Sequence, residues 1–295
     1  MIKQTLMFTT PASLSLKNNQ LVISRMGSDE VVTRPIEDIG FVVVEDQRVA
    51  LTIPLLNALT ENNVSVIFCD EKHMPNSMLM PLEANTTLQE SYRYQVDAGE
   101  VVKKRMWKQI VEAKIRNQSA LLNSLGLDGD ELKPYYMNVK SGDGDNREGA
   151  AARIYWNILF EKSFRRSRDG SQPNSMLNYG YAILRAAMAR AIVGSGLYPA
   201  FGIFHRNRYN AFPLADDLME PYRPFVDEIV YHLFVEGAVE ELTKETKSEL
   251  LRVLFADVKI GKMVKPLEVA LSSTTASLVR VYSGKENSLN LPAMP

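Results

Sequence analysis

Leu88–Leu125 reads LQESYRYQVDAGEVVKKRMWKQIVEAKIRNQSALLNSL, and this stretch divides the chain. It contains no proline and a single glycine, Gly99, and its apolar residues recur three and four apart, with Val102, Met106, Ile110 and Ala113 on one stripe. That is the period of an amphipathic helix, and Gly126 is placed to stop it. Downstream, the same spacing predicts helices over Glu148–Phe160, Ser175–Val193, Phe225–Glu241, Lys247–Phe255 and Pro266–Val281. Upstream, from Met1 to about Pro81, the apolar runs are short, β-branched and broken by turn residues. Leu14-Ser15-Leu16 and Leu21-Val22-Ile23 flank Lys17-Asn18-Asn19-Gln20, a hairpin signal whose connection fits several turn types. Val31-Val32, Ile36, Ile39–Val44 and Val64–Phe68 supply further strands, with a short helix at Pro54–Leu59. The fold class is therefore α+β: a small N-terminal β-rich, sandwich-like domain over 1–80, followed by a larger all-α domain over 90–282. A linker over 81–89 joins them, and the polar, proline-ended segment 283–295 reads as a flexible tail.

Bulk properties exclude several classes. At 295 residues the chain can bury a proper core, and 45% hydrophobic with 23% charged residues describes an ordinary globular protein. A formal charge of −1 does not announce a polyanion binder, although a local basic face is compatible with it. The single cysteine, Cys69, excludes an internal disulfide framework and a multi-cysteine zinc site, and in Val64–Asp70 it reads as a small buried hydrophobe. Met1–Phe8 lacks the apolar stretch of a signal peptide and no run has membrane-spanning length, so a cytoplasmic location and no membrane partner are expected.

Three histidines leave little choice for imidazole chemistry. His73 follows Asp70-Glu71-Lys72 in a polar turn and reads as solvated, while His232 in Ile229–Phe234 reads as a structural residue of an amphipathic helix. His205 differs. A glycine- and proline-bearing connection delivers it into Arg206-Asn207-Arg208-Tyr209-Asn210, where a phosphate and a metal ion can meet. Soon after come Asp216, Asp217 and Glu220 in Leu214–Pro224, residues that either cap a helix or join His205 on a divalent ion. Oxygen plus imidazole ligation suits Mg2+ or Mn2+ better than a closed zinc site. Farther upstream, Ser141–Glu148 is a glycine- and aspartate-rich loop opening a helix, without the ligand order of an EF-hand. Glu148, in the first turn, either favours the helix's positive end or supplies a third ligand, and Gly149-Ala150-Ala151-Ala152 behind it permits close helix approach.

Cations gather near these residues. Lys103, Lys104, Arg105, Lys108, Lys114 and Arg116 load the first long helix, and Lys162, Arg165, Arg166 and Arg168 form a second group. Arg185, Arg190, Arg206 and Arg208 bracket His205, with Tyr179, Tyr181, Tyr209 and Tyr222 interleaved. Such runs are either solvated faces or phosphate contacts with some base stacking.

The ordered set Arg147–Ala152, Asn174–Tyr181, Gly202–His205 and Leu214–Pro224 resembles the CRISPR-associated adaptation integrase, the endonuclease that inserts new spacers into a CRISPR array. Compact length and the Glu220–Pro224 form look most like the branch accompanying type II systems. The resemblance implies that Glu148, His205 and Glu220 are catalytic metal ligands for Mg2+ or Mn2+, that Asp217 is a supporting or alternate ligand, and that the helical domain is catalytic. It also implies a homodimer joined through the β domains, and double-stranded DNA, spacer precursor and repeat, as substrate. A small ferredoxin-like adaptation protein would complete a heterohexamer. Lys162, Arg165, Arg166, Arg206, Arg208 and Arg223 are the DNA contacts expected on this view. Three readings compete: an integrase joining 3′-hydroxyl ends by transesterification, a general structure-specific nuclease of repair, and a non-enzymatic DNA-binding scaffold.

Overall fold

The computed structural model describes residues 3–81, 85–167, 172–235, 237 and 242–295. The chain forms two compact units, Met1–Leu82 and Glu83–Pro295.

The first unit is built on two four-stranded sheets. Its strands are β1 (Gln4–Phe8), β2 (Ala12–Lys17), β3 (Gln20–Arg25), β4 (Val31–Pro35), β5 (Ile39–Val44), β6 (Ala50–Leu51), β7 (Ser65–Cys69) and β8 (Pro75–Leu79), with helix α1 (Ile53–Glu61) before β7. One sheet runs β1-β5-β7-β8 and the other β4-β3-β2-β6. β5 lies between parallel neighbours β1 and β7 and is buried along its whole length, which is why Ile39–Val44 is a continuous apolar run without alternation. Leu14, Leu21, Ile39, Val42, Leu55, Leu59 and Val66 share one core. The β2–β3 hairpin closes on Asn18 and Asn19, both at positive φ (51° and 57°), so the connection is two residues long. Asparagine tolerates that conformation, and the primed turn it forms matches the strands' twist. Ile36 stands in a single 3-10 turn (Ile36–Asp38) rather than in a strand, and Pro75–Leu79, which lacks a β-branched run, is a further strand.

The second unit is helix-rich. The long predicted helix is two: α2 (Leu88–Asp97) and α3 (Glu100–Ser124), parted at Ala98-Gly99 with Gly99 capping α3. Then come α4 (Lys133–Tyr136), α5 (Arg147–Phe160), α6 (Asn174–Gly194), α7 (Pro213–Met219), α8 (Arg223–Val235), α9 (Lys244–Leu251) and α10 (Leu267–Tyr282). The predicted end of the Phe225–Glu241 helix, and the linker residues 82–84, lie outside the described residues. Helix α3 is the axis of the unit, burying Met106, Trp107, Ile110, Val111, Ile115, Leu121 and Leu122 together with Lys114, Asn117, Gln118 and Ser119. It packs on α5 and on the 3-10 turn Glu220–Tyr222 that follows α7. Gly180 on α6 allows a close crossing, since a Cβ there would stand 2.5 Å from Val226 Cγ1 on α8.

This unit also carries a small antiparallel sheet, β10-β9-β11, from β9 (Asp257–Ile260), β10 (Met263–Pro266) and β11 (Pro292–Ala293). The segment 283–295, expected to be loose, is tied down. β11 pairs with β9, and Asn117 Nδ2 donates to Pro221 O (2.7 Å) and Pro292 O (3.1 Å). Met294 N donates back to Asn117 Oδ1, Leu289 N to Gln109 Oε1, and Asn290 N to Ser277 Oγ. Backbone groups, not an apolar period, hold this segment, so patterning did not register it.

Candidate active site

Two carboxylates from separate helices meet at one buried ammonium. Asn146, in the left-handed region, caps α5 by accepting from Gly149 N, while the Asp143 carboxylate accepts from Arg147 N (2.7 Å) and Glu148 N (3.1 Å). This double cap fixes the first turn of α5 and with it Glu148. Glu148 Oε1 lies 2.6 Å from Lys114 Nζ. Glu220, at the junction of α7 and α8, places Oε2 2.6 Å from the same nitrogen, an ion pair without hydrogen-bond geometry, and accepts from Arg223 Nε at Oε1 (2.9 Å). Burial by itself would raise the Glu220 carboxyl, but Arg223 and then Lys114 outweigh it and hold it at about 2. Burial likewise disfavours the Lys114 ammonium, yet Glu220 and Glu148 raise its pKa above the ordinary value. Glu220 and Lys114 are therefore both charged at neutral pH.

His205 stands on the connection between α6 and α7. Its Nδ1 is 2.6 Å from Asp217 Oδ1, and the ring meets Trp107 edge-on while Phe204 stacks flat on Trp107 at 4.3 Å. Asp217 is 0% exposed and accepts three backbone donors: Ile203 N (2.6 Å), Phe204 N (2.9 Å) and His205 N (3.2 Å). One carboxylate thus folds the loop and orients the imidazole. Gly202 is required by this closeness, because a Cβ there would stand 2.6 Å from His205 O and 3.1 Å from Asp217 Oδ2. The hydrogen bond to Asp217 raises the His205 pKa against the opposing effect of burial, with Glu220 and Glu148 adding to the rise. Those two carboxylates are close enough for the imidazole to feel their charge. With both Asp217 oxygens engaged and Nδ1 committed to one of them, Nε2 is the ring nitrogen left for chemistry.

The expected residues divide by what they touch. Glu148 and Glu220 are brought together at Lys114, and His205, held by Asp217, is near enough for both carboxylates to raise its pKa. Among the described residues no three His, Cys, Asp or Glu side chains are gathered as a ready metal cage. Even so, two oxygens from different elements bracket a single cationic point, and Glu220 Oε2 is buried without a hydrogen bond, which is a donor set that fits a hard divalent ion. Arg223 is committed to Glu220 and lies 4.4 Å from the Tyr181 ring. Arg166 bonds Asn174 and Asn178, also facing Tyr181. Lys162, Arg165, Arg206 and Arg208 are exposed; Arg206 pairs with Glu100, and Arg208 lies 4.5 Å over Tyr209, itself 79% exposed. Arg168 lies outside the described residues. His73 lies 3.1 Å from Glu45, and His232 is exposed beside a cavity of about 480 Å3 lined by Ile229, Leu233, Glu249 and Arg252.

Several participants carried no local signal. Lys114 looked like one more member of a basic helix face, but it sits on the buried side of α3. Asp227 on α8 receives hydrogen bonds from Tyr155 OH (2.7 Å) and from Tyr181 OH, whose ring faces Arg223, the partner of Glu220. Burial, opposed by both tyrosines, pushes its carboxyl up to about 6. Spacing between α3, α5 and α8 hides such partners from a linear reading.

Residues 6–268 match the family described as CRISPR associated protein Cas1. A CRISPR-associated endonuclease Cas1 from Neisseria meningitidis serogroup C is 37% identical over 262 residues, covering 88% of this chain and 85% of that protein. In structure, a casposase bound to an integration product superimposes with a TM-score of 0.80 at 22% identity, over 98% of this chain and 93% of the casposase. A chain of a Cas6-RT-Cas1–Cas2 complex superimposes at 0.72 with 19% identity, over 98% of this chain and 36% of that one.

Proposed function

The chain belongs to the CRISPR-associated Cas1 family, and from that premise we propose that it is a metal-dependent DNA endonuclease and integrase of CRISPR adaptation. The observation that carries this reading is the convergence of Glu148 and Glu220 on one cationic point, with His205, fixed by Asp217, near enough for both carboxylates to raise its pKa. Glu148 and Glu220 would hold Mg2+ or Mn2+, with His205 Nε2 as the nitrogen donor; once bound, the ion neutralises charge on the phosphate as attack proceeds. Arg223 keeps Glu220 ionised and in place. Asp217 fixes the imidazole so that Nε2 either ligates or takes the proton of the attacking hydroxyl at near-neutral pH. The nucleophile is the 3′ hydroxyl of incoming DNA. One phosphorus–oxygen bond forms to it, one breaks to the 3′ oxygen of the repeat strand, and no external energy source is needed. Water in place of the hydroxyl makes the same site a plain nuclease.

The casposase that shares this fold carries an integration product, which supports joining as the principal reaction. Exposed Lys162, Arg165, Arg206 and Arg208 would follow the duplex backbone without reading sequence. The Cas1–Cas2 neighbour supports assembly with a small adaptation partner. We assign the working form as a homodimer through the β-rich unit, completed to a heterohexamer by that ferredoxin-like protein, in the cytoplasm. No helix among the described residues is long and apolar enough to cross a membrane. The Glu220–Pro224 form and the Neisseria relative support the type II branch. Strand transfer of a 3′-hydroxyl duplex into a repeat-bearing plasmid, with partner protein and Mn2+, tests the function. Joined product should vanish on chelation and in Glu148→Ala and His205→Ala; undiminished joining in those variants removes the site assignment.

A further inference from the structure

Lys114 is 9% exposed, and its Nζ stands 2.6 Å from Glu148 Oε1 and 2.6 Å from Glu220 Oε2. Those are the oxygens that the proposed function gives to a divalent ion. An ion ligated by both at about 2.0–2.2 Å would stand next to that ammonium, so the two cations compete for the same pair of oxygens. The two contacts differ in a useful way. Glu148 Oε1 accepts a hydrogen bond from Nζ, whereas Glu220 Oε2 meets Nζ without hydrogen-bond geometry, an attraction of charge that another cation can replace. The carboxylates also have supports of their own: Arg223 keeps Glu220 Oε1, and Asp143 keeps the backbone of Glu148. Neither would lose its place if Nζ left. The lysine stem is flexible, and its head is a compact point charge.

We propose that Lys114 is the resident counter-cation of this carboxylate pair, holding Glu148 and Glu220 together in the metal-free protein and yielding its place when the divalent ion enters. The inference rests on the reading of Glu148 and Glu220 as ion ligands. It makes Lys114 a positioning residue with two effects. The site is preformed without metal, because the buried Glu220 and the partly buried Glu148 are bridged by an internal ammonium, with Arg223 as the second cation. Metal affinity is correspondingly weakened, since each ion must displace an ammonium rather than enter an open anionic pair.

The test is Mn2+ binding to the full chain without DNA, read from the electron paramagnetic resonance signal of free Mn2+. Wild type, Lys114→Met, Lys114→Gln and Glu148→Gln are compared, with thermal melts in chelator and in Mn2+. The two Lys114 variants should bind Mn2+ more tightly, by about tenfold or more, because a positive charge beside the ligands is gone. They should melt below wild type in chelator and regain most of the loss with Mn2+. Lys114 variants that fold but bind Mn2+ no better than wild type overturn the proposal. Equal binding by wild type and Glu148→Gln overturns the ligand reading itself, and the proposal with it. A measurement on wild type alone covers the case in which both variants fail to fold: acylation of Lys114, followed by mass spectrometry, should accelerate several-fold on adding Mn2+. An unchanged labelling rate refutes displacement.

Discussion

Replacing Asp217 by alanine should damage the fold far more than replacing the histidine it orients. Asp217 is 0% exposed and accepts from Ile203 N, Phe204 N, His205 N and His205 Nδ1. In Asp217→Ala the Ile203 donor is left fully buried and the Phe204 and His205 donors partly so. At about 1–3 kcal/mol for each buried unpaired donor, discounted for the two that water can reach, the loss is about 3–5 kcal/mol. For a unit of this size that lowers the melting temperature by about 10 °C. The His205 side chain, by contrast, is 41% exposed, and removing it leaves the three backbone bonds to Asp217 intact. His205→Ala should therefore melt within about 3 °C of wild type while losing strand transfer. Asp217→Asn, which keeps an acceptor but loses the charge, should fall between them. Differential scanning calorimetry of the metal-free proteins decides the matter. An Asp217→Ala protein melting within about 2 °C of wild type, or a His205→Ala protein melting equally low, would refute the division of labour drawn here.

Other outcomes follow from the same geometry. The Asp227 carboxyl, pushed up to about 6 by burial, keeps its proton in the folded chain to a higher pH than in the unfolded one. Its contribution to stability is thus fullest below about pH 4 and is lost as pH rises to about 6, by about 3 kcal/mol; denaturant titrations of Asp227→Asn should lack that decline. Gly202→Ala forces a Cβ to 2.6 Å from His205 O, so joining should fall at least about tenfold in a protein whose circular dichroism is unchanged. Replacing exposed Arg206 and Arg208 together by alanine should reduce the salt slope of duplex binding by about 2, equally for all sequences, with no change in the Mn2+ requirement.

What the sequence disclosed depended on how local the cause was. The period of Leu88–Leu125 announced helix, and the apolar Ile39–Val44 run announced a strand, because each is a property of neighbours along the chain. The break at Ala98-Gly99 and the docked 283–295 segment were hidden, since one depends on capping and the other on Asn117 reaching Pro292 and Met294. Site residues divide in the same manner. His205, Asp217 and Glu220 stand close in sequence, and a turn-rich arginine loop made them conspicuous. Glu148 needed the family resemblance to rise above an ordinary first-turn glutamate. Lys114 could not be distinguished from Lys103, Lys104 or Lys108 until α3 was packed, because burial of one face is decided by α5 and the Glu220 turn. Arg223, expected as a DNA contact, is held by Glu220 through the i, i+3 spacing that the turn into α8 provides, a partner that its sequence neighbours did not single out.

The central claim is that Glu148, Glu220 and His205 form one divalent-ion site. Crystals of the chain grown or soaked with Mn2+, recorded at the manganese absorption edge, test it most directly. A single strong anomalous peak touching both glutamates and Nε2 of His205, absent from Glu148→Ala crystals, is the predicted result. Manganese bound elsewhere, with Glu148 and Glu220 still joined through Lys114, would contradict it.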